Sequence, residues 1–196
     1  MPLITDYKRV KKIYQNAAEL GVALPVFCAE DRETLEAILA SALEMGKEIG
    51  VDDIPIITAW TSRYPARAQM TLLTACGDPR LGTQLMLSDL NTFMEDTSPY
   101  RKLLVIPHLD HAFPWLDGNI LYDFVDQFAS VMCDASKKPF NENIQLTSEY
   151  AKKVHGRIIV EGAVDVVPES SGNDGKNQIT TVEQTSALLN NICFLL

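Results

Sequence analysis

Two periods alternate along this chain. Over residues 8–20 apolar positions recur at helical spacing and stop near Gly21. Residues 23–28 form a short apolar run of strand length. Asp31 then opens a second helical pattern over 32–49, closed by Gly50, with Leu35, Ile38, Leu39, Ala42, Leu43 and Met45 mainly on one face. A second strand is predicted over 54–60. Residues 65–96 read as mostly helical, interrupted at Gly77-Asp78-Pro79, a turn signal. A third strand over 103–106 precedes a helix over 116–128. A fourth strand over 130–133 precedes a helix over 139–155 with proline at its start. The fifth strand is predicted over 158–160. Residues 167–179 are polar and contain glycine, which predicts a mobile surface loop. A last helix over 181–190 leads to a sixth strand opening at Ile192.

Strands alternating with helices of this length predict an α/β fold with a parallel sheet. No GxGxxG follows the first strand, and no GxxxxGK[ST] occurs, so dinucleotide and P-loop nucleotide folds are disfavoured. A (β/α)8 barrel fits better, because polar residues collect where strands end. The first strand ends at Cys28, the second at Thr61, the fourth at Asp134 and the fifth at Glu161. The third runs straight into His108-Leu109-Asp110-His111, two of the three histidines in the chain. Imidazole and carboxylate together can bind a divalent metal and move a proton. A barrel would gather Asp110, His111, Asp134 and Glu161 around one mouth.

Composition narrows the partners. The 196 residues fit one domain, with residues 1–21 as an N-terminal helix. A net charge of -9 argues against nucleic acid or an anionic membrane surface as main partner. No apolar run approaches a membrane span, and the first residues lack a signal-peptide core. Four scattered cysteines without a CxxC pair suggest a reducing, cytoplasmic setting.

The ordered set HLDH (108–111), PWLDG (114–118), VMCDAS (131–136), PFNENI (139–144) and IIVEG (158–162) resembles the class II fructose-bisphosphate aldolases. The resemblance implies a zinc-dependent (β/α)8-barrel lyase of carbohydrate metabolism and glycolysis. Such an enzyme makes or cleaves the carbon–carbon bond of a phosphorylated ketose such as fructose 1,6-bisphosphate. It also implies roles for particular residues. Asp110 matches the acid/base that takes the C4 hydroxyl proton, and Glu169 stands for the glutamate that exchanges the enediolate proton. His111 matches the first zinc ligand. Asp134 and Glu161 match carboxylates near the metal, at a secondary cation position. Thr61 and Cys28 fall at substrate-contacting positions, a serine and an asparagine in the family. His108 reads as structural. Members of that family are commonly dimers or larger, so the resemblance also allows a homo-oligomer, with a small phosphorylated sugar as ligand.

Departures from the family pattern accompany the match. Glu161 is followed by Gly162 and Ala163, so the family's second carboxylate is missing there. The family's two later zinc histidines and its phosphate-binding motifs have no counterpart in these residues. The chain is thus expected to supply the first five to six strands of a barrel, and to bind zinc weakly and turn over poorly alone. Two alternatives remain open: a non-catalytic aldolase-like binding or assembly subunit, and another metal-dependent barrel enzyme such as a hydrolase.

Overall fold

A computed structural model describes residues 3–65, 67–166 and 180–192. In chain order the elements are α1 (Tyr7–Glu19), β1 (Val26–Cys28), α2 (Arg32–Ile49), β2 (Pro55–Thr61), α3 (Gln69–Leu72), α4 (Pro79–Phe93), β3 (Leu104–Ala112), α5 (Gly118–Asp123), β4 (Ser130–Cys133), α6 (Phe140–Lys153), β5 (Ile159–Gly162) and α7 (Val182–Ile192). The strands form one sheet in the order β1-β2-β3-β4-β5, every pair parallel. A parallel neighbour needs a crossover, and sequential order with right-handed crossovers sends the connecting helices to one face. The result is an incomplete (β/α) barrel.

Period-2 alternation divides the sheet residues between two cores. Ile56, Trp60, Val105, Leu109, Val131, Cys133 and Val160 pack under Leu35 and Leu39 of α2, Leu87 and Leu90 of α4, Leu121 of α5 and Tyr150 of α6. On the other face Ile57, Ile106 and Ile159 pack with Ile4, Val10, Ile13 and Tyr14 from the N-terminal segment and α1. Along this second face three strands turn polar toward their C-terminal ends: Ile57-Ala59-Thr61 in β2, Ile106-His108-Asp110 in β3 and Ile159-Glu161 in β5. Helix α1 therefore lies over the apolar floor, and the polar side chains line the mouth. Asp6 starts α1 by accepting from the Arg9 N–H, and Asp31 starts α2 in the same way from Thr34.

Several boundaries differ from those the sequence predicts. Strand β3 does not stop at Ile106 but runs to Ala112, so HLDH lies on the strand. Pairing to β2 from Leu104 to Asp110, and to β4 at His108, Leu109 and Ala112, overrides the weak strand preference of His and Asp. Pro107 is tolerated in this central strand because pairing with β4 begins only after it. Its carbonyl accepts from Ala129, and the earlier Val105 carbonyl accepts from Ile4. Among the described residues between 65 and 96, only those of α3 and α4 are helical. Helix α5 is short, and Phe124, Val125 and Phe128 reach the core from the turn that follows it. Ile192 ends α7 rather than opening a strand, and 193–196 lie outside the described residues, as does the loop expected over 167–179. No helix among the described residues is long and apolar enough to cross a membrane.

Candidate active site

The site forms where β3 breaks its register. His108 pairs with Ser130 and Leu109 with Val131, yet the next pair is Ala112 with Cys133. Three steps on β3 therefore match two on β4, which is a β-bulge. His111 sits in this bulge with φ at 45°, a left-handed conformation that non-glycine residues seldom adopt. The bulge re-aims its ring across to the end of β4. There His111 Nδ1 lies 2.7 Å from Asp134 Oδ2. Tyr64, in the loop after β2, stacks on the imidazole with ring centroids 4.4 Å apart and planes 17° apart.

Asp134 is buried and fully engaged. Its Oδ1 accepts from the Ser136 N–H at 3.0 Å and from the Ser136 hydroxyl at 2.6 Å. Burial pushes its pKa up, but the His111 and Ser136 hydrogen bonds outweigh that and hold it below the usual range. The reverse balance raises His111: burial opposes its charge, but the Asp134 bond and the carboxylates of Asp110, Asp134 and Glu161 outweigh it. With Nδ1 turned to Asp134, Nε2 is the nitrogen left for another partner.

The second half of the mouth is organised by His108. Its ring is buried, with Nδ1 2.8 Å from Ser130 Oγ and Nε2 4.0 Å from both Asp110 Oδ1 and Glu161 Oε2. Burial lowers its pKa to about 4, so the ring is neutral near pH 7. Glu161 is pushed up from its ordinary value by partial removal from water and by the charge of Asp110. Asp110, one-fifth exposed, also has Cys28 Sγ 4.0 Å from its Oδ2. Asp110, His111, Asp134, Glu161 and Cys28 are thus brought to one mouth.

Thr61 is placed otherwise. Opposite Asp110 in the β2–β3 register, it is 1% exposed. Its N–H donates to Gln69 Oε1 at 2.7 Å and its hydroxyl donates to the Arg67 carbonyl. Gln69 in turn donates to the Ala29 carbonyl at 3.0 Å, so this group ties the β1 and β2 loops together. Glu169 lies outside the described residues. Sequence reasoning missed two contributors, Tyr64 and the bridging position of His108. Nothing in the residues around Tyr64 announces its stack. The 108–110 spacing, which puts His108 on the Asp110 face, was the available signal for His108.

The residues meet zinc chemistry in part. His111 has the form of a metal-ligating imidazole, with its other nitrogen on a carboxylate. Among the described residues, however, no group of three His, Cys, Asp or Glu side chains is arranged to hold a metal ion. Asp134 has both oxygens occupied, and Glu161 faces His108. These residues offer one imidazole toward a zinc site that needs several donors.

Comparison with known proteins agrees with the motif order. A family model for class-II fructose-bisphosphate aldolase matches residues 8–194. The chain is 25% identical over 175 residues to a fructose-bisphosphate aldolase of Treponema pallidum, covering 84% of this chain and 46% of that protein. It superposes on the crystal structure of a fructose-bisphosphate aldolase from Campylobacter jejuni with a TM-score of 0.70 at 20% identity, over 98% of this chain and 56% of the other. The crystal structure of a putative fructose-1,6-bisphosphate aldolase from Coccidioides immitis gives a TM-score of 0.63 at 20% identity, over 95% of this chain and 57% of the other. The chain spans about half the length of these relatives. The match over almost all of its residues places this chain in the class II fructose-bisphosphate aldolase family.

Proposed function

We propose that this chain carries part of the active site of a metal-dependent aldolase acting on a phosphorylated ketose such as fructose 1,6-bisphosphate. One observation carries the reading: the bulge at His111 turns a carboxylate-oriented imidazole into the same mouth as Asp110. In this reading Asp110 accepts the substrate's C4 hydroxyl proton. The electrons of that O–H bond form the carbonyl of the departing aldehyde, and the pair from the broken carbon–carbon bond passes to the enediolate half. His111 would hold zinc through Nε2, completed by donors beyond the described residues. Zinc, when bound, supplies Lewis-acid stabilisation of charge on the enediolate oxygens. Asp134 acts through His111, fixing its tautomer and ring orientation. Cys28 lies at the Asp110 end of the mouth, a position suited to touching substrate. Thr61, with its hydroxyl turned into the loop, shapes the mouth from beneath. Glu169 keeps its proposed role in proton exchange on the enediolate carbon. The separated cysteines, one of them buried in the core, suit a reducing cytoplasmic setting.

The one-imidazole donor set favours a second reading, an aldolase-like subunit that binds sugar phosphate without turning it over. Zinc titration and aldehyde release from fructose 1,6-bisphosphate separate the two. The aldolase reading expects weak zinc binding that falls further in His111→Ala, with slow aldehyde release abolished by a chelator and by Asp110→Asn. Zinc affinity unchanged by His111→Ala, or release indifferent to chelation, would overturn it. Sugar-phosphate binding without any release would establish the second.

A further inference from the structure

Helix α1 contributes more than apolar cover. Its Tyr14 hydroxyl lies 3.3 Å from Ser130 Oγ, and Ser130 Oγ lies 2.8 Å from His108 Nδ1. The far side of the His108 ring faces two carboxylates, Asp110 and Glu161, each 4.0 Å from Nε2. That separation is too long for a hydrogen bond but short enough for a charge–dipole attraction, felt more from Asp110 than from the more exposed Glu161. These contacts fix the direction of every proton in the chain. A neutral imidazole carries one N–H. With its lone pair at Nε2, the ring would point electron density at two carboxylates; with the proton there, it points a positive N–H. The proton therefore belongs on Nε2, and Nδ1 must accept. Ser130 must then donate to Nδ1, which uses its only proton, so its oxygen accepts from Tyr14. Burial raises the Tyr14 pKa, which keeps that hydroxyl protonated and able to donate.

We infer that Tyr14 and Ser130 are positioning residues: a relay from Tyr14 O–H to Ser130 O–H to His108 Nδ1 holds the His108 N–H aimed between Asp110 and Glu161. This deepens the aldolase reading, on which its catalytic meaning rests, because Asp110 is there the proton acceptor. A fixed N–H beside Asp110 orients that carboxylate and relieves its repulsion with Glu161. The cluster that Tyr14 packs against (Ile4, Val10, Ile57, Ile106 and Ala129) is apolar, and its hydroxyl reaches past that cluster to Ser130, on the side where the Glu161 charge is felt.

The test is the tautomer of His108, read from long-range proton–nitrogen correlation spectra of histidine-labelled protein at pH 7. Substitution of His155, which is exposed, and of His111 assigns the signals. Nδ1 should resonate as an unprotonated acceptor and Nε2 as a protonated nitrogen. Ser130→Ala should move the Nδ1 signal farther from the protonated range, Tyr14→Phe should move it less in the same sense, and Ser130→Thr should restore it. A wild-type ring protonated at Nδ1, or ring signals unchanged in Ser130→Ala, would overturn the relay. If Ser130→Ala does not fold, Tyr14→Phe decides alone, and an unchanged Nδ1 signal overturns the relay. The spectra are independent of turnover. The expected shifts without aldehyde release would remove the aldolase reading and leave the relay; release without the shifts would do the opposite.

Discussion

His111 is held at three points: a left-handed backbone, the Asp134 carboxylate and the Tyr64 ring. Backbone strain of this kind persists only where its surroundings impose it. On the proposed function, Asp134→Ala should weaken zinc binding about 10- to 100-fold, the usual cost of losing a partner behind a metal-ligating histidine; competition with a chromophoric chelator measures it. The cysteines make a test free of any functional assumption. Cys76 is exposed, and a bond with Thr74 holds its thiol below its ordinary value. Burial and the charge of Asp110 raise Cys28, while burial pushes Cys133 up to about 12. Among the three cysteines in the described residues, alkylation at pH 8 followed by peptide mass mapping should label Cys76 first, Cys28 more slowly and Cys133 only after unfolding.

At the scale of elements, the contact between α3 and α4 depends on the absence of one side chain. A Cβ on Gly82 would lie 1.8 Å from the Met70 carbonyl oxygen, a backbone atom that cannot swing aside. Gly82→Ala should therefore destabilise by about 1–3 kcal/mol through overpacking. Gly118, at the start of α5, has nothing within 4 Å of its Cβ position. Gly118→Ala should be neutral or stabilise by about 0.4–1 kcal/mol, because it restricts the unfolded chain. Thermal melts of the two variants compare them directly. Helix α2 was legible to its last residue, because Asp31 and Gly50 mark both ends of a long amphipathic pattern. Strand β3 was not legible past Ile106. What keeps His108, Leu109 and Asp110 extended is pairing with β2, joined at His108 and Leu109 by β4, partners that lie far away along the chain.

Over the whole molecule, carboxylates tie together elements distant in sequence. Arg157, before β5, makes a two-pronged contact with Asp126, before β4, at 3.0 and 2.6 Å. This bond with Arg157 holds the Asp126 carboxyl below its usual range, and bonds from Thr34 do the same for Asp31 at the start of α2. Both groups release their protons more readily folded than unfolded. Their stabilisation is thus complete above the ordinary carboxylate range and disappears as pH falls through the lowered folded values. Melting temperature should decline on acidification below that range. Asp126→Asn should make the decline shallower, by a small amount because the pair is exposed.

The sequence by itself determined the alternation of strands and helices, the parallel sheet and the identity of Asp110, His111, Asp134 and Glu161 as mouth residues. Those features follow from local periodicity and from polar residues placed at strand ends. Tertiary structure alone decided what each of them touches. The His111–Asp134 bond spans 23 residues, the Tyr64 stack on His111 spans the β2–β3 connection, and the Tyr14–Ser130 contact spans 116. Such pairings depend on a one-residue bulge and on the seating of α1 against the sheet. Both are set by packing between distant segments, which no local pattern encodes.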